Sequence, residues 1–193
     1  MPPGALEQRG KTSARSSRLS AALVLGYTQS VNAETLTQAL ATSRFGRWLR
    51  HEEVVDSTND RAAAVLAREV LPDGALFVAA RQTRGRGTGG NRWLSDDPDG
   101  LWLSLVLHEP LAVQPLSFLA GIALVDVLRA RYGIDAHVKW PNDVLVERRK
   151  LSGCLVESQR EAGGRQAWIV GIGVNVNQAR FPEEIEARAV SMR

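Results

Sequence analysis

Residues 135–158, with the sequence DAHVKWPNDVLVERRKLSGCLVES, decide the fold. Apolar stretches alternate here with tight polar turns, and the pattern continues into the next apolar stretch. The predicted strands are Asp135–Trp140, Val144–Glu147, Leu151–Ser158 and Gln166–Val174. A Pro-Asn-Asp turn, an Arg-Arg-Lys turn and an Ala-Gly-Gly-Arg turn separate them. Turns this short join neighbouring antiparallel strands, whereas a parallel connection needs about a dozen residues.

The upstream half of the chain predicts three helices and three more strands. The predicted helices are Glu34–Ala41, a helix that begins after Ser57 or Thr58 and runs through Ala62–Val70, and Gln114–Tyr132. The predicted strands are Trp48–Val55, Ala75–Arg81 and Leu101–His108. Ser57 or Thr58 would cap the second helix, and Gly133 would end the third. The order of elements predicts an α+β fold, with a mostly antiparallel sheet and helices packed on one face, and not a doubly wound parallel sheet.

Length and composition favour one globular domain over residues 34–193. The chain has 193 residues, of which 44% are hydrophobic and 23% charged, enough to bury a core. Residues 1–33 are basic and rich in serine, and we expect an unstructured extension there. A misassigned start or a targeting segment is the alternative, because a short apolar run, residues 19–26, follows the basic residues.

Charge, hydropathy and cysteine content limit the kinds of binding partner and the cellular compartment that we expect. The net charge is +3, but the basic residues do not cluster densely, so we expect no sequence-specific binding to nucleic acid. No apolar run approaches the ~18 residues of a membrane span, so we expect no contact with a membrane. Cys154, the single cysteine, is expected to pack in the core. A lone cysteine fits a reducing compartment, and we predict a cytoplasmic protein.

A glycine-rich stretch, residues 84–93 with the sequence RGRGTGGNRW, follows a predicted strand. Its backbone N–H groups and arginines suit the binding of a phosphate or a carboxylate. Gly85, Gly87 and Gly90 match the dinucleotide-binding spacing, but residues 92–95 and an acidic turn follow in place of a helix. The P-loop pattern also fails, since no Gly-Lys-Ser/Thr closes the stretch. A mobile surface loop is the alternative for this segment alone.

Several short motifs follow one another along the chain in an order that is typical of one enzyme family. They are Ser57-Thr58-Asn59, Gln82 leading into Gly85-Arg86-Gly87, Trp93, Lys139-Trp140-Pro141-Asn142-Asp143, Lys150-Leu151-Ser152-Gly153 and Gly171-Ile172-Gly173-Val174-Asn175. With them, residues 45–178 resemble the catalytic domain of the biotin protein ligases, whose fold is class II synthetase-like and shared with lipoate ligases. The resemblance implies ATP-dependent conversion of biotin to biotinoyl-5′-AMP and transfer of biotin to a lysine of a carrier protein.

The resemblance also implies roles for individual residues. Neutral hydrogen-bonding groups suit the neutral urea of biotin, and the implied biotin-binding residues are Ser57, Thr58, Asn59, Gln82, Arg86, Gly87, Lys150 and Gly153. The implied ATP-binding residues are Gly85, Arg86, Trp93, Lys139, Asn142 and Asn175, with Mg²⁺ accompanying the nucleotide and no metal ligands among the protein side chains. The implied catalytic residues are Arg86 and Lys150, which would neutralise anionic oxygens, and Asp143, which would orient the carrier lysine or accept its proton.

Each role has a structural alternative. Ser57 and Thr58 would serve equally as helix caps, Asn142 and Asp143 as turn residues, and Lys150 as a solvated turn lysine. The implied partner is the biotin carboxyl carrier domain of acetyl-CoA carboxylase or a related carboxylase, and a homodimer stays open.

Two departures from the family stand out. Thr88, Gly89, Gly90 and Asn91 occupy loop positions where relatives commonly carry basic residues, so we expect weaker retention of the adenylate. The small C-terminal β domain of the family is not expected within residues 178–193, which suggests truncation. The upstream residues also lack the helices of a helix-turn-helix, so no repressor activity is expected.

Other classes of function remain as alternatives. A lipoate ligase shares the fold and the chemistry of adenylation, and a truncated protein that binds biotin or the adenylate without catalysis is the stronger rival. The scattered His51, His108 and His137 lack the spacing of metal ligands, and no Gly-x-Ser-x-Gly elbow indicates a serine hydrolase.

Overall fold

A computed structural model describes residues 33–108 and 113–193. The predicted extension at the N-terminus therefore lies almost wholly outside the described residues. The described helices are α1 (Ala33–Ala39), α2 (Thr58–Leu66), α3 (Val113–Tyr132) and α4 (Glu183–Glu186). The strands are β1 (Leu49–Val55), β2 (Leu76–Gln82), β3 (Gly100–Leu107), β4 (Ala136–Lys139), β5 (Asp143–Val146), β6 (Arg149–Arg160) and β7 (Gln166–Asn175).

All these strands form one sheet in the order β1-β2-β3-β7-β6-β5-β4. Every neighbouring pair is antiparallel except β1 and β2, which run parallel. The predicted α+β class and the mostly antiparallel sheet are confirmed. The parallel pair arises because α2 lies between β1 and β2 and returns the chain to the same edge, so that both strands end beside the N-terminus of α2.

The two longer helices, α2 and α3, lie on opposite faces of the sheet, which corrects the expectation that the helices share one face. α2 packs through Ala62 and Leu66 against Phe77 and Val106 in one cluster of buried side chains. α3 packs in a separate cluster, which includes Val174. Side chains on a strand alternate between faces. Val106 pairs with Ile169 on β7, and both belong to the cluster under α2. Val174 lies five positions further along β7, and an odd separation places its side chain on the other face. The two clusters therefore lie on opposite sides of the sheet.

The boundaries of the two longer helices follow from local chemistry. α3 ends where predicted, because Gly133 adopts a left-handed backbone with a φ of 66°. α2 ends at Leu66 and not at the predicted Val70. The N–H groups of Arg68 and Glu69 both bond to the carbonyl of Val65, which closes the last turn and sends Leu71 into the core.

Within the ranges that the structure describes, no helix is both long enough and apolar enough to span a membrane. The sheet positions the candidate site at its centre. There the end of β2, the start of α2, and the middle of β6 and β7 lie side by side on the face that α2 covers.

Candidate functional site

The glycine-rich loop is a short hairpin. The N–H of Gly87 bonds to the carbonyl of Asn91 at 2.7 Å, and the N–H of Trp93 bonds to the carbonyl of Gly85 at 2.9 Å. Gly89 and Gly90 form the tip with φ angles of 65° and 80°, which side-chain-bearing residues rarely adopt. The hairpin thereby turns Trp93 back over the sheet.

Glycines on β6 and β7 make room for two side chains on the covered face of the sheet. A Cβ built at Gly171 would clash with the side-chain amide of Asn59, and one at Gly173 would lie 2.6 Å from Nε1 of Trp93. A Cβ at Gly153 would also meet the indole, at 3.0 Å. The protein's own Asn59 and Trp93 therefore approach the backbone of β7 closely, and the glycines leave room for them.

These elements enclose a narrow pocket whose lining combines polar and apolar groups. The pocket is lined by all eight residues for which the resemblance implies biotin binding: Ser57, Thr58, Asn59, Gln82, Arg86, Gly87, Lys150 and Gly153. Leu103, Leu155, Ile172 and the largely apolar Trp93 also line it. A neutral polar floor with an apolar wall and cations at the rim is suited to a mostly uncharged ligand that carries one anionic group.

The start of α2 supplies most of the polar floor. Ser57 occupies the N-cap position, as predicted, but its side chain makes no capping hydrogen bond. The backbone N–H of Thr58 donates to Oε1 of Gln82 at 2.7 Å, and its hydroxyl donates to the same oxygen at 3.1 Å. Nε2 of Gln82 donates in turn to Ser95 Oγ at 3.0 Å. The Ser-Thr-Asn triplet is thus joined to the end of β2, so its side chains serve the pocket more than the helix end.

Arg86 lies at the rim between two carboxylates. Its Nη1 and Nη2 donate to Oε1 and Oε2 of Glu157 at 2.8 and 2.6 Å, and Nη2 lies 2.6 Å from Oδ1 of Asp60. The hydrogen bonds to Glu157 raise the pKa of Arg86 despite its partial burial. Burial alone would raise the pKa of Glu157, but the hydrogen bonds from Arg86 and Asn59 outweigh it and lower that pKa. Both groups therefore stay charged at neutral pH.

A wide cleft of about 670 Å³ adjoins the narrow pocket. Its walls carry more cations than carboxylates: Arg92, Lys139, Arg148, Lys150, Arg180 and Arg188 against Asp96, Asp97 and Asp143. The lining also includes Trp93 and Asn175. An excess of positive charge in a cleft of this size is suited to a polyanionic ligand such as a nucleotide.

The residues for which the resemblance implies ATP binding do not all line the same cavity. Trp93, Lys139 and Asn175 line the wide cleft. Arg86 and Asn142 line the narrow pocket instead, and Gly85 lines neither, because it packs against Ser95 and the backbone of Trp93.

Lys150 lies where the two cavities meet. It lines both of them, as do Gly87, Thr88 and Trp93. Its Nζ is 2.6 Å from Oδ1 of Asp143 and 5.2 Å from the centre of the aromatic ring of Trp93. A carboxylate in the narrow pocket and a phosphate in the cleft would both reach this ammonium group. The structure thus brings together two of the three implied catalytic residues, Lys150 and Asp143, while Arg86 lies at the pocket rim.

The backbone of Lys150 is held by the end of the chain. Its N–H donates to the carbonyl of Arg188 at 2.6 Å, and its carbonyl accepts from the N–H of Val190 at 3.0 Å. The side-chain amide of Asn175 donates to the carbonyls of both Lys150 and Val190, at 3.3 and 3.1 Å. Asn175 therefore secures the strand that carries the lysine, in addition to lining the cleft.

Asn142 and Cys154 have structural contacts at the pocket wall. Nδ2 of Asn142 donates to the carbonyl of Cys154 at 3.1 Å, and the N–H of Cys154 donates back to the carbonyl of Asn142 at 2.9 Å. Burial raises the pKa of the Cys154 thiol to about 12. The thiol therefore stays protonated, which agrees with the predicted packing role.

Sequence reasoning missed several residues of the site. Asp60 and Glu157, which bind Arg86, and Ser104, which lies beneath Asn59, were not identified. The cleft residues Arg180, Phe181, Ile185 and Arg188 were also missed. Glu157 left one signal in the sequence, because it is the first charged residue after the apolar and small residues 151–156. The other residues left none, since their positions depend on contacts across the sheet.

In the described ranges, no three His, Cys, Asp or Glu side chains converge as a metal site would require. Mg²⁺ typically binds to substrate phosphates with one or two carboxylates and several waters. Asp143, on the wall of the cleft, is suited to such a limited contribution.

Residues 52–177 match the Biotin/lipoate A/B protein ligase family. The chain belongs to this family. The match begins within β1 and extends just beyond β7, so it includes the pocket, the loop and Lys150, whereas the last sixteen residues lie outside it.

Named relatives of this family member fall among the biotin ligases. The bifunctional ligase/repressor BirA of Bacillus spizizenii is 39% identical over 158 residues, which cover 79% of this chain and 48% of that protein. The biotin–[acetyl-CoA-carboxylase] ligase of Paracoccus denitrificans is 40% identical over 140 residues, 69% of this chain and 57% of that protein. The chain thus spans about half the length of the curated relatives it matches.

A solved structure resembles about three quarters of this chain. The biotin protein ligase of Aquifex aeolicus in complex with biotin and ATP superposes with a TM-score of 0.65 at 36% identity. The alignment covers 76% of this chain and 60% of that one.

Proposed function

We propose that this chain is the catalytic domain of a biotin protein ligase. It would join biotin and ATP into biotinoyl-5′-AMP with release of pyrophosphate, and then transfer biotin to a lysine of a biotin carboxyl carrier domain. The observation that carries the proposal is the position of Lys150, at the junction of the narrow polar pocket and the wide cationic cleft. The names of the relatives and the biotin and ATP bound to the Aquifex protein support the same assignment.

In the first step, a carboxylate oxygen of biotin attacks the α-phosphorus of ATP. The new O–P bond forms as the bond from the α-phosphorus to the bridging oxygen breaks, and pyrophosphate leaves. Two anionic groups must approach each other, so a fixed cation between them lowers the barrier. Lys150 is suited to this role, and Arg86 at the pocket rim would hold the carboxylate end of biotin in register.

In the second step, the neutral amine of the carrier lysine attacks the carbonyl carbon of the adenylate. The C–N bond forms, the C–O bond to the phosphate breaks, and AMP leaves. The amine must lose a proton, for which Asp143 is the carboxylate placed nearest to Lys150, at 2.6 Å. In the ion pair, Asp143 is held facing the junction of the cavities, where that proton would be released.

Mg²⁺, when bound, would neutralise the phosphates of ATP and draw charge from the leaving pyrophosphate. The cationic wall of the cleft, including Lys139 and Arg180, would share in binding the phosphates. The partner in this proposal is the carrier domain of acetyl-CoA carboxylase or of a related carboxylase. The proposed location of the protein is the cytoplasm.

The test measures pyrophosphate release from ATP and Mg²⁺, with and without biotin, for the purified chain. We expect release that depends on biotin and that falls about 10²-fold or more in Lys150→Ala. Arg149→Ala is the matched control, because Arg149 is the first residue of β6, next to Lys150, and its exposed side chain pairs with Glu147. It should leave the rate within about twofold.

The competing functions give different outcomes. Tight binding of biotin without pyrophosphate release would favour a binding protein that lacks catalysis. Release that lipoate supports better than biotin would favour a lipoate ligase. Release that persists undiminished in Lys150→Ala would contradict the mechanism proposed for this lysine.

A further inference from the structure

The side chain of Lys150 lies on the face of the sheet where regular alternation would not put it. Ser152 pairs with Val174, which belongs to the cluster under α3, so Ser152 faces that side. Side chains two positions apart on a regular strand share a face, which would direct Lys150 into the same apolar cluster. Its ammonium group lies instead 5.2 Å from the ring centre of Trp93, on the face that α2 covers. Regular strand geometry therefore does not account for the direction of this lysine.

A β-bulge in β6 accounts for it. Ser152 pairs with Val144 on β5. Lys150 pairs with Leu145, the next residue of β5, so Leu151 is the extra residue. The side chain of Leu151 is fully buried in the cluster under α3. A bulge re-aims the side chains beside it, and this one turns the leucine into the core and the ammonium group towards the pocket.

The backbone of Lys150 pairs with a different part of the chain from the rest of β6. The pairing of β6 with β7 begins only at Ser152. Beside Lys150 lie residues 188–190, here called the C-terminal segment, in a parallel bridge. The N–H of Lys150 donates to the carbonyl of Arg188, and its carbonyl accepts from the N–H of Val190. Both backbone polar groups of the lysine are thus bonded to the C-terminal segment.

Asn175 joins the same arrangement through its side chain. Its Nδ2 donates to the carbonyls of both Lys150 and Val190. The side chain of Lys150 is 35% exposed, and its ion pair with Asp143 does little by itself to fix a flexible four-carbon stem. The position of this ammonium group therefore depends on how its backbone is held.

We propose that the C-terminal segment and Asn175 are a positioning element for Lys150. By bonding to its backbone at the bulge, they hold the lysine on the face that carries the two cavities. The inference rests on the proposed function, because it takes Lys150 as the cation that neutralises the reacting oxygens. A displacement of about 1 Å in a catalytic group can lower a rate on the order of 10²-fold.

The first test compares two substitutions at one position. Val190→Pro removes the N–H that donates to the carbonyl of Lys150, whereas Val190→Ala loses the side chain and keeps the N–H. With saturating biotin, ATP and Mg²⁺, pyrophosphate release should fall about tenfold or more in Val190→Pro and less than about twofold in Val190→Ala. Urea unfolding checks that both variants are folded. Equal rates in the two folded variants would overturn the inference.

A double-mutant cycle separates positioning from general damage. If the C-terminal segment acts through Lys150, Val190→Pro should cause little further loss in a Lys150→Ala chain, because the group that it positions is already gone. Single-turnover measurement gives these low rates. A loss that is repeated in full in the Lys150→Ala chain would overturn the inference.

Labelling of lysine amines with an acylating reagent, quantified by mass spectrometry, follows Lys150 without relying on activity. Lys139, which is exposed on β4, provides the internal reference. A displaced Lys150 leaves its ion pair with Asp143 and becomes more accessible. The ratio of the labelling rates of Lys150 and Lys139 should therefore rise about twofold or more in Val190→Pro and stay constant in Val190→Ala.

Asn175→Ala covers the case in which Val190→Pro does not fold. It removes both side-chain hydrogen bonds and leaves the backbone unchanged, so slower release at saturating ATP and a raised labelling ratio are again expected. An unchanged labelling ratio in the folded variant would overturn the inference. A wild-type chain that releases no pyrophosphate would instead overturn the proposed function, and the labelling ratio would still decide whether this element positions Lys150.

Discussion

Asp143 and Lys150 form an ion pair across the β5–β6 hairpin, with Oδ1 and Nζ 2.6 Å apart. Asp143 lies opposite Gly153 in the register of the two strands, and the missing side chain leaves space for Lys150 to reach across. The pair unites the residue proposed for charge neutralisation with the one proposed to accept a proton. Its two members should therefore affect different steps.

Asp143→Asn should separate the two half-reactions. Pyrophosphate release should stay within a few-fold of the wild type, because Lys150 keeps its charge. Transfer of biotin to the carrier domain should fall on the order of 10²-fold, since the incoming amine loses its proton acceptor. Single-turnover measurement of each step checks this, and an equal loss in both steps would contradict a role confined to transfer.

Gly171→Ala should damage the pocket through Asn59. The new methyl group would clash with the amide, which cannot move freely because Glu157, Leu155 and Ser104 all hold it. We expect the free energy of unfolding to fall by about 1–3 kcal/mol and biotin binding to weaken about tenfold or more. Urea unfolding and calorimetric titration measure the two effects.

The control for this substitution is Gly163→Ala, in the exposed turn between β6 and β7. There a Cβ would meet Cγ2 of Val70 at 3.2 Å, and because Val70 is 60% exposed its side chain has room to move aside. Biotin binding should not change in this variant. If the two alanine variants bound biotin equally well, the packing of Asn59 on Gly171 would have no part in forming the pocket.

Thr88→Arg should slow the escape of the adenylate. Thr88 lines both cavities, and it occupies a position where biotin ligases commonly carry a basic residue. A guanidinium there would add a charged hydrogen bond to the phosphate, so we expect dissociation of biotinoyl-5′-AMP to slow about tenfold. Rapid-dilution measurement of adenylate release tests this.

Thr83→Arg introduces the same side chain at an exposed position outside both cavities, and it should leave the dissociation rate unchanged. Equal rates in the native chain and Thr88→Arg would show that the uncharged loop does not weaken retention of the adenylate.

Glu161 should make stability depend on acidic pH. It is buried at the end of β6, where Nε of Arg165 donates to it at 2.7 Å and His108 lies 3.2 Å away. The hydrogen bond from Arg165 lowers the pKa of Glu161 and outweighs burial, which raises it. A carboxyl with a lowered folded-state pKa stabilises the fold above its ordinary value of 4.5, and this contribution disappears as the pH falls through the lowered value.

Glu161→Gln should therefore reduce the free energy of unfolding at pH 7 by about 1–3 kcal/mol, and the deficit should shrink as the pH falls from about 5 to about 3. Urea unfolding across this range provides the measurement. Glu147→Gln, at a side chain that is 77% exposed, should change stability by less than about 0.5 kcal/mol at any pH. A deficit in Glu161→Gln that is constant with pH would contradict the assignment.

Much of the fold could be predicted from local chemistry. The short turns at residues 140–142 and 147–148 set antiparallel pairing, because connections this short cannot join parallel strands. Gly133 ended α3 as predicted, since it tolerates the left-handed backbone. The division of helices between the two faces was not predictable in this way. It depends on the register between Val106 and Ile169, which is a contact between distant parts of the chain.

By itself, the sequence determined the type of fold, the position of the glycine-rich loop and eight of the residues that line the narrow pocket, because ordered motifs and short turns can be read along the chain. Only the tertiary structure decided which charges face one another. The contacts of Glu157 with Arg86 and Asn59 span 71 and 98 residues, and that of Lys150 with Arg188 depends on the end of the chain returning to β6. Such contacts arise from strand order and register, so the spacing of residues along the chain does not specify them.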